Sequence, residues 1–300
     1  MTARQYGLTP AAAHPRLVGH VTAPDLHLMS WNIRRPVPAV FSRAADRWAS
    51  RAPRLRAMLE AEQPTVLCAQ EVLDEQARVV LAALGDDYRA VGRGRSADGG
   101  GEACPIFYDS DRLQLLDWTQ LALSDTPDQP GSMSWGNLFP RVVIRAEFRD
   151  RATSRRVQVV NTHLDPLSAR SRVRSARAIL ELVTASDTPT VITGDLNAGP
   201  SSAAVRELLS TGALRDSWAV ADDRLTEPWG TYANYREPRP DGTRIDWILA
   251  TSLVRVTHAA INPFMHLGGW ASDHLPVQAV VRLDTDDTND EQAEEGDTQT

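Results

Sequence analysis

A series of short polar motifs punctuates this chain, each at the end of an apolar run that reads as a strand. They are Trp31-Asn32-Ile33, Gln70-Glu71, Asn161-Thr162-His163-Leu164-Asp165, Gly194-Asp195-Leu196-Asn197, Ile245-Asp246-Trp247 and Ser272-Asp273-His274. Together they supply carboxylates, amides and histidines, the groups that hold a hard divalent cation and attack a phosphoester. Mg2+ and Mn2+ prefer oxygen ligands, and Mg2+ often takes only one or two carboxylates plus a substrate phosphate. Glu71 follows an apolar run, so it is expected at a sheet edge as the principal metal ligand, with Asn32 and Asp273 completing the set. Alone, Glu71 reads equally as a turn residue or helix cap. The recurrence of such motifs along the chain favours a site.

Hydrolysis of a phosphoester needs an in-line water, a group to orient or deprotonate it, and donors for the developing charge. Asp195 is the expected water-activating carboxylate, and Asn197, two residues on, can hold the water or phosphate. His274 with Asp246 forms a dyad in which the carboxylate fixes the imidazole tautomer and favours its protonated form. His163 with Asn161 offers a second set of donors; a plain strand-end histidine is the competing reading. Asp165 precedes Pro166 and shapes the turn beyond. Zinc ranks below magnesium or manganese, because neither HExxH nor a CxxC pair is present. A serine hydrolase lacks support, because there is no GxSxG elbow.

Strands must deliver these motifs. Apolar runs predict strands at 26–33, 65–69, 88–91, 104–108, 113–121, 141–148, 157–161, 190–193, 244–250, 254–261 and 277–283. Helices are expected at 43–61, 74–84, 168–185 and 201–210, the second closed by Gly85. Residues 92–101 form a glycine-rich loop that matches neither phosphate-binding fingerprint and reads as a flexible hairpin connection. Arg170, Arg174 and Arg177 share a helix face, read as solvated rather than as a nucleic-acid patch. Many strands with a few crossover helices suit two central sheets with helices outside.

Composition narrows the class. The chain has 300 residues, 42% hydrophobic and 24% charged, ample for a single large α/β domain. All 32 basic residues are arginine, which removes lysine Schiff-base and P-loop chemistry. The net charge of −7 is carried by the acidic tail 284–300, so the remaining body sums to +1. That near-neutral body lacks the field of a general DNA binder. The tail is expected to be disordered and the segment 1–24 a loosely ordered lead-in, leaving 25–283 as the domain. The 2 cysteines form no disulfide framework, and Cys68 reads as a small buried hydrophobe. There is no apolar run of about 18 residues and no signal-peptide pattern at the start. A cytoplasmic protein with no membrane contact and no obligate protein partner is expected.

With these residues in hand, the chain resembles the endonuclease/exonuclease/phosphatase superfamily, the metal-dependent phosphoesterases related to deoxyribonuclease I. The resemblance covers roughly 25–283 and reaches each motif above. It implies a four-layer α/β/β/α sandwich, two central mixed β-sheets flanked by helices, with Mg2+ or Mn2+ between the sheets. A finer likeness lies at Pro105-Ile106-Phe107-Tyr108, at Leu123 to Asp128, at Gly131 to Trp135, and at Arg141. It is similar to a bacterial hydrolase branch on the deadenylase-like and nocturnin-like side. In that setting Trp135 and Arg141 line the substrate side, with Glu102 and Tyr108 as weaker candidates of the same kind. Loop packing by Trp135 and a surface role for Arg141 are the alternatives. Sphingomyelinase-like members are generally exported, and abasic-site endonucleases carry a tyrosine where this chain has His163.

The expected activity is hydrolysis of a phosphoester in a small phosphorylated or nucleotide-like substrate. The alternatives are an RNA or single-stranded DNA nuclease, which should show an arginine and aromatic groove beside the metal, and a non-catalytic binding module.

Overall fold

Apolar runs buried on both faces set the architecture of the computed structural model, which describes residues 15–38, 40 and 43–283. The acidic tail and the first part of the lead-in lie outside the described residues. In chain order the elements are β1 (Leu26–Asn32), α1 (Trp48–Glu62), β2 (Val66–Gln70), α2 (Asp74–Leu84), β3 (Tyr88–Val91), β4 (Ile106–Asp109) and β5 (Leu113–Ala122). Then follow β6 (Val142–Asp150), β7 (Arg156–His163), α3 (Ala169–Thr184), β8 (Thr190–Asp195), α4 (Ala203–Leu209) and β9 (Leu214–Asp216). The chain closes with α5 (Ser217–Val220), β10 (Asp223–Arg224), β11 (Asp246–Thr251), β12 (Val254–Ile261) and β13 (Val277–Leu283).

One mixed sheet has the order β10-β12-β13-β1-β2-β4-β3, and the other β5-β6-β7-β8-β11-β9. Alternate residues of each central strand face opposite cores. Leu28, Val66 and Cys68 meet Ile144, Val159 and Ile248 between the sheets. Met29, Trp31 and Leu67 face α1 and α2 through Leu55, Leu59 and Val80. Val160, Ile192 and Trp247 face α3 and α4 through Ile179, Leu180 and Leu208. The result is the expected four-layer sandwich.

Two crossovers fix where the site forms. β1 and β2 are parallel through α1, with Asn32 opposite Gln70. β7 and β8 are parallel through α3, with His163 opposite Asp195. Parallel neighbours joined by a helix end on the same side, so both sheets deliver their polar residues to one edge. β11 runs antiparallel to β8 and places Asp246 opposite Asp195.

Three local features depart from the sequence expectations. The expected helix 43–61 splits into a 3-10 turn, Ala44–Asp46, and α1, because Arg47 is extended between them. Residues 214–224, which carry no strong periodicity, form β9, α5 and β10. The described part of the lead-in is anchored. Leu17, Val18 and Gly19 donate their N–H groups to the buried Glu62 carboxylate at 2.7, 3.1 and 3.0 Å. Asn262 and Gln278 also donate to it. Glu62 is ionised because these donors outweigh its burial, which opposes charge. Cys68 and Cys104 are buried free thiols pushed up to about 12 by burial, which makes them inert.

Candidate active site

Asp195 is the hub of the strand-end cluster. Its Oδ2 accepts from Asn32 Nδ2 at 3.0 Å and lies 3.5 Å from His163 Nε2 and 3.8 Å from His274 Nε2. Its Oδ1 accepts from the backbone N–H of Asn197 at 2.9 Å. That bond exists because Asn197 adopts a left-handed φ of 47°, which asparagine tolerates. Gly194 is required by close approach, since a Cβ there would lie 2.4 Å from the Thr162 carbonyl oxygen. Burial and the neighbouring Asp246 charge raise the Asp195 pKa, suiting it to take a proton.

The expected dyad is present. His274 Nδ1 lies 2.8 Å from Asp246 Oδ2. Burial opposes the imidazolium, but Asp246 and Asp195 outweigh it and raise His274 to about 10. Thr231 Oγ accepts the N–H groups of Ile245 and Asp246 and holds the start of β11. His163 takes the opposite state. Its burial dominates and lowers its pKa to about 4, leaving a neutral ring beside Asp195.

Glu71 and Asp273 lie beside this cluster. Burial opposes the Glu71 charge, yet His163, the Arg35 N–H, Asn32 and Arg34 hold its pKa at about 2. Asp273 is raised by burial, and its neighbours Glu71 and Asp46 add to the rise. Arg34 reaches into these carboxylates, 3.6 Å from Asp273, 3.9 Å from Glu71 and 3.6 Å from Asp46. Crowded, buried carboxylate oxygens are a donor set that fits a hard divalent cation. Asn32, the third expected ligand, touches two of these carboxylates. The Arg34 N–H donates to its Oδ1 at 2.9 Å, which turns its Nδ2 toward Glu71 and Asp195. Asn32 therefore orients two carboxylates. The tightest histidine and carboxylate group is Asp195, Asp246 and His274, with ligand atoms within 4.8 Å of one another. With its Nδ1 held by Asp246, His274 turns Nε2 toward Asp195, an arrangement that can also pass a proton.

The other expected site residues separate. Arg141 lines the pocket with Glu71, Asn197, Asp273 and both histidines. Its side chain is 5% exposed, 3.5 Å from Asp165, and its Nε and Nη1 make no hydrogen bond among the described residues. Glu102 also lines the pocket, paired with Arg35 at 3.1 Å and Arg95 at 2.9 Å. Asn161 does not reach the pocket. Its Nδ2 donates to the carbonyls of Ala69, Cys104 and Pro105, and its Oδ1 accepts from Gln70 at 2.8 Å. Its amide bolts one sheet to the other. Trp135 is buried against Leu123, Val160 and Leu164 and donates to Asp125 at 2.8 Å, so it packs its loop. Tyr108 packs on Phe148 between the sheets, with ring centroids 4.9 Å apart. It sits at the far end of its pairing with β2, opposite Val66.

Several lining residues escaped the sequence reading: Arg34, Arg35, Arg95, Phe139 and Tyr232. Arg34 and Arg35 directly follow Trp31-Asn32-Ile33, a signal that was available. Arg95 comes from the glycine-rich hairpin, whose backbone is stitched by Gly94 N–H to Gly99 O at 2.9 Å and Ser96 N–H to Gly100 O at 3.1 Å. The loop is a hairpin connection, as expected, but it also supplies a wall of the pocket.

The architecture beneath Asp195 is that of the deoxyribonuclease I-like hydrolases. The chain belongs to the Endonuclease/Exonuclease/phosphatase family, whose profile matches residues 29–274. Members of this family are hydrolytic phosphoesterases and nucleases. An endonuclease/exonuclease/phosphatase from Bacteroides vulgatus superposes with a TM-score of 0.80 at 29% identity, covering 87% of this chain and 99% of that one. The mannosyl-6-phosphatase of Bacteroides thetaiotaomicron gives a TM-score of 0.80 at 26% identity, covering 85% and 99%. Drosophila melanogaster nocturnin is 27% identical over 227 residues, 68% of this chain and 34% of nocturnin. The chain spans between 34% and 59% of the length of the curated relatives it matches.

Proposed function

We propose that residues 25–283 form a divalent-metal-dependent phosphoesterase that hydrolyses a phosphoester of a small phosphorylated or nucleotide-like molecule. The observation that carries this reading is the convergence of Asn32, His163 and His274 on one carboxylate, Asp195. Glu71 and Asp273 would hold Mg2+ or Mn2+, which neutralises charge on the phosphoryl oxygens when bound. Asp195 takes the proton of the attacking water; its raised pKa and buried setting suit a base. His274, kept protonated by Asp246, donates to a phosphoryl oxygen. His163 is neutral and donates one N–H. Arg141, whose Nη1 makes no hydrogen bond among the described residues, offers a charged donor for a further oxygen.

Two relatives bear on the substrate, one named for a phosphorylated sugar and one nocturnin. A cytoplasmic setting belongs to the same proposal. Among the described residues, no helix is long and apolar enough to cross a membrane.

The test is a hydrolysis screen with Mg2+ or Mn2+ over phosphomonoesters, sugar phosphates, nucleotide cofactors, short RNA and short DNA. Asp195→Asn and His274→Ala are the controls. Turnover in the wild type that both variants nearly abolish supports the reading. Near-normal turnover by both would sink it.

A further inference from the structure

Arg34 already places one positive charge among the carboxylates assigned to the metal. Its guanidinium lies 3.6 Å from Asp273, 3.9 Å from Glu71 and 3.6 Å from Asp46. Glu71 and Asp273 line the catalytic pocket, and Asp46 stands behind it. All three separations exceed hydrogen-bond length, and the buried Nε of Arg34 makes no hydrogen bond among the described residues.

The backbone beneath this side chain is bolted down. The Arg34 N–H donates to Asn32 Oδ1 at 2.9 Å, and the Arg34 carbonyl accepts from Gln76 Nε2 at 2.9 Å. The flanking carbonyls of Ile33 and Arg35 accept from the Arg51 guanidinium at 2.8 and 3.2 Å. These bonds hold Arg34 at a left-handed φ of 57°, a region that side chains with a Cβ seldom enter. The stem is fixed, and the charged head hangs between two sets of acceptors.

Asp46 is the prepared acceptor of the two. It ends the 3-10 turn Ala44–Asp46. Tyr235 OH donates to its Oδ1 at 2.8 Å, and the fully buried Arg51 donates to its carbonyl at 2.9 Å. Its Oδ2 is left toward Arg34. The neighbour of Tyr235 fastens this arrangement to the site, because the Asn234 N–H donates to the Asp273 carbonyl at 2.8 Å.

A divalent cation shared by Glu71 and Asp273 would repel a guanidinium held within a few ångströms of both. Asp46 offers that guanidinium a carboxylate outside the metal set. We infer that Arg34 is a resident cation competing with the divalent metal for Glu71 and Asp273, and that Asp46 is the positioning residue that draws Arg34 aside when metal binds. The pair thereby sets the metal affinity, and with it the Mg2+ level at which hydrolysis begins. This rests on the phosphoesterase reading through one assignment, that of the metal to Glu71 and Asp273.

The test is isothermal titration calorimetry of Mg2+, and separately Mn2+, into chelator-stripped full-length protein. Arg34→Gln should tighten binding by about tenfold or more, and Asp46→Asn should weaken it by about tenfold. In the Arg34→Gln background, Asp46→Asn should change affinity by less than about twofold, because the residue it positions is gone. Equal weakening in both backgrounds would reduce Asp46 to a through-space charge and overturn its role. Thermal melts accompany each variant. Arg51 keeps its carbonyl acceptors in Asp46→Asn, and the new amide can still accept from Tyr235. If that variant nevertheless unfolds, the inference stands or falls on Arg34→Gln. Mg2+ should also raise the melting temperature of Arg34→Gln more than that of the wild type. Unchanged affinity in folded Arg34→Gln, when Glu71→Gln does weaken binding, overturns the inference alone. Binding indifferent to Glu71→Gln strikes the metal assignment, and the inference falls with it.

Discussion

His274 Nδ1 and Asp246 Oδ2 lie 2.8 Å apart although the whole of β12 separates β11 from the last site loop in the sequence. The contact fixes which imidazole nitrogen faces Asp195 and keeps the ring charged. Asp246→Asn should lower the turnover number by about a hundredfold or more with a small change in KM. Its thermal melt should stay near that of the wild type. Steady-state kinetics with the best substrate of the screen check this. A turnover number within a few-fold of wild type removes the dyad from the reaction.

Arg141 is the buried guanidinium with hydrogen-bonding capacity left over at the pocket. Arg141→Gln should reduce kcat/KM by about a hundredfold and weaken competitive inhibition by inorganic phosphate. Asp165 keeps its other partners, the N–H groups of Leu167 and Ser168, so the fold should hold. Unchanged phosphate inhibition would place Arg141 outside the anion site.

Glu71 is held ionised by its neighbours, ready for a cation. Glu71→Gln should weaken Mg2+ binding at least tenfold by isothermal titration calorimetry, since metal affinity rests on the deprotonated ligand. EDTA should abolish hydrolysis by the wild type, and excess Mg2+ or Mn2+ should restore it. Equal Mg2+ affinity in Glu71→Gln and wild type would move the metal elsewhere.

Away from the site, His27 is fully buried between the Gly19 carbonyl and Gln278, and burial lowers its pKa to about 4 despite the nearby Glu62 charge. Its folded pKa therefore lies below the model-peptide value of 6.5. The unfolded chain binds the proton first, so stability should fall as pH drops from about 6.5 to about 4. Glu62, itself lowered, should add a further loss below the ordinary carboxylate range. Urea unfolding across this range, with His27→Gln beside the wild type, measures the effect. An equal slope in both proteins between pH 6.5 and 4.5 would refute the assignment to His27.

Strand ends proved readable because catalytic motifs and strand periodicity reinforce each other. β3, α2, β12 and β13 fall at the residues their periodicity predicts. The stretch 214–224 was not readable, because its short elements are held by pairing with β11 and β12 rather than by a pattern of their own. Asn161 and Trp135 illustrate a different limit. An amide or an indole has the same donors whether it meets a substrate or a neighbouring strand, and only its partners decide.

The sequence by itself determined the chemistry on offer. Its apolar alternation requires two-faced strands, and its motif order places Glu71, His163, Asp195, Asp246, Asp273 and His274 at their ends. The tertiary structure decided which groups act together. It turned Asn32 toward two carboxylates, closed Asn161 into an intersheet bolt, and left Arg141 buried with spare N–H groups. It also carried Arg95 from a distant hairpin into the pocket. These outcomes depend on contacts between the two sheets, where burial and neighbouring charge set orientation and protonation, and no local run of residues encodes those distances.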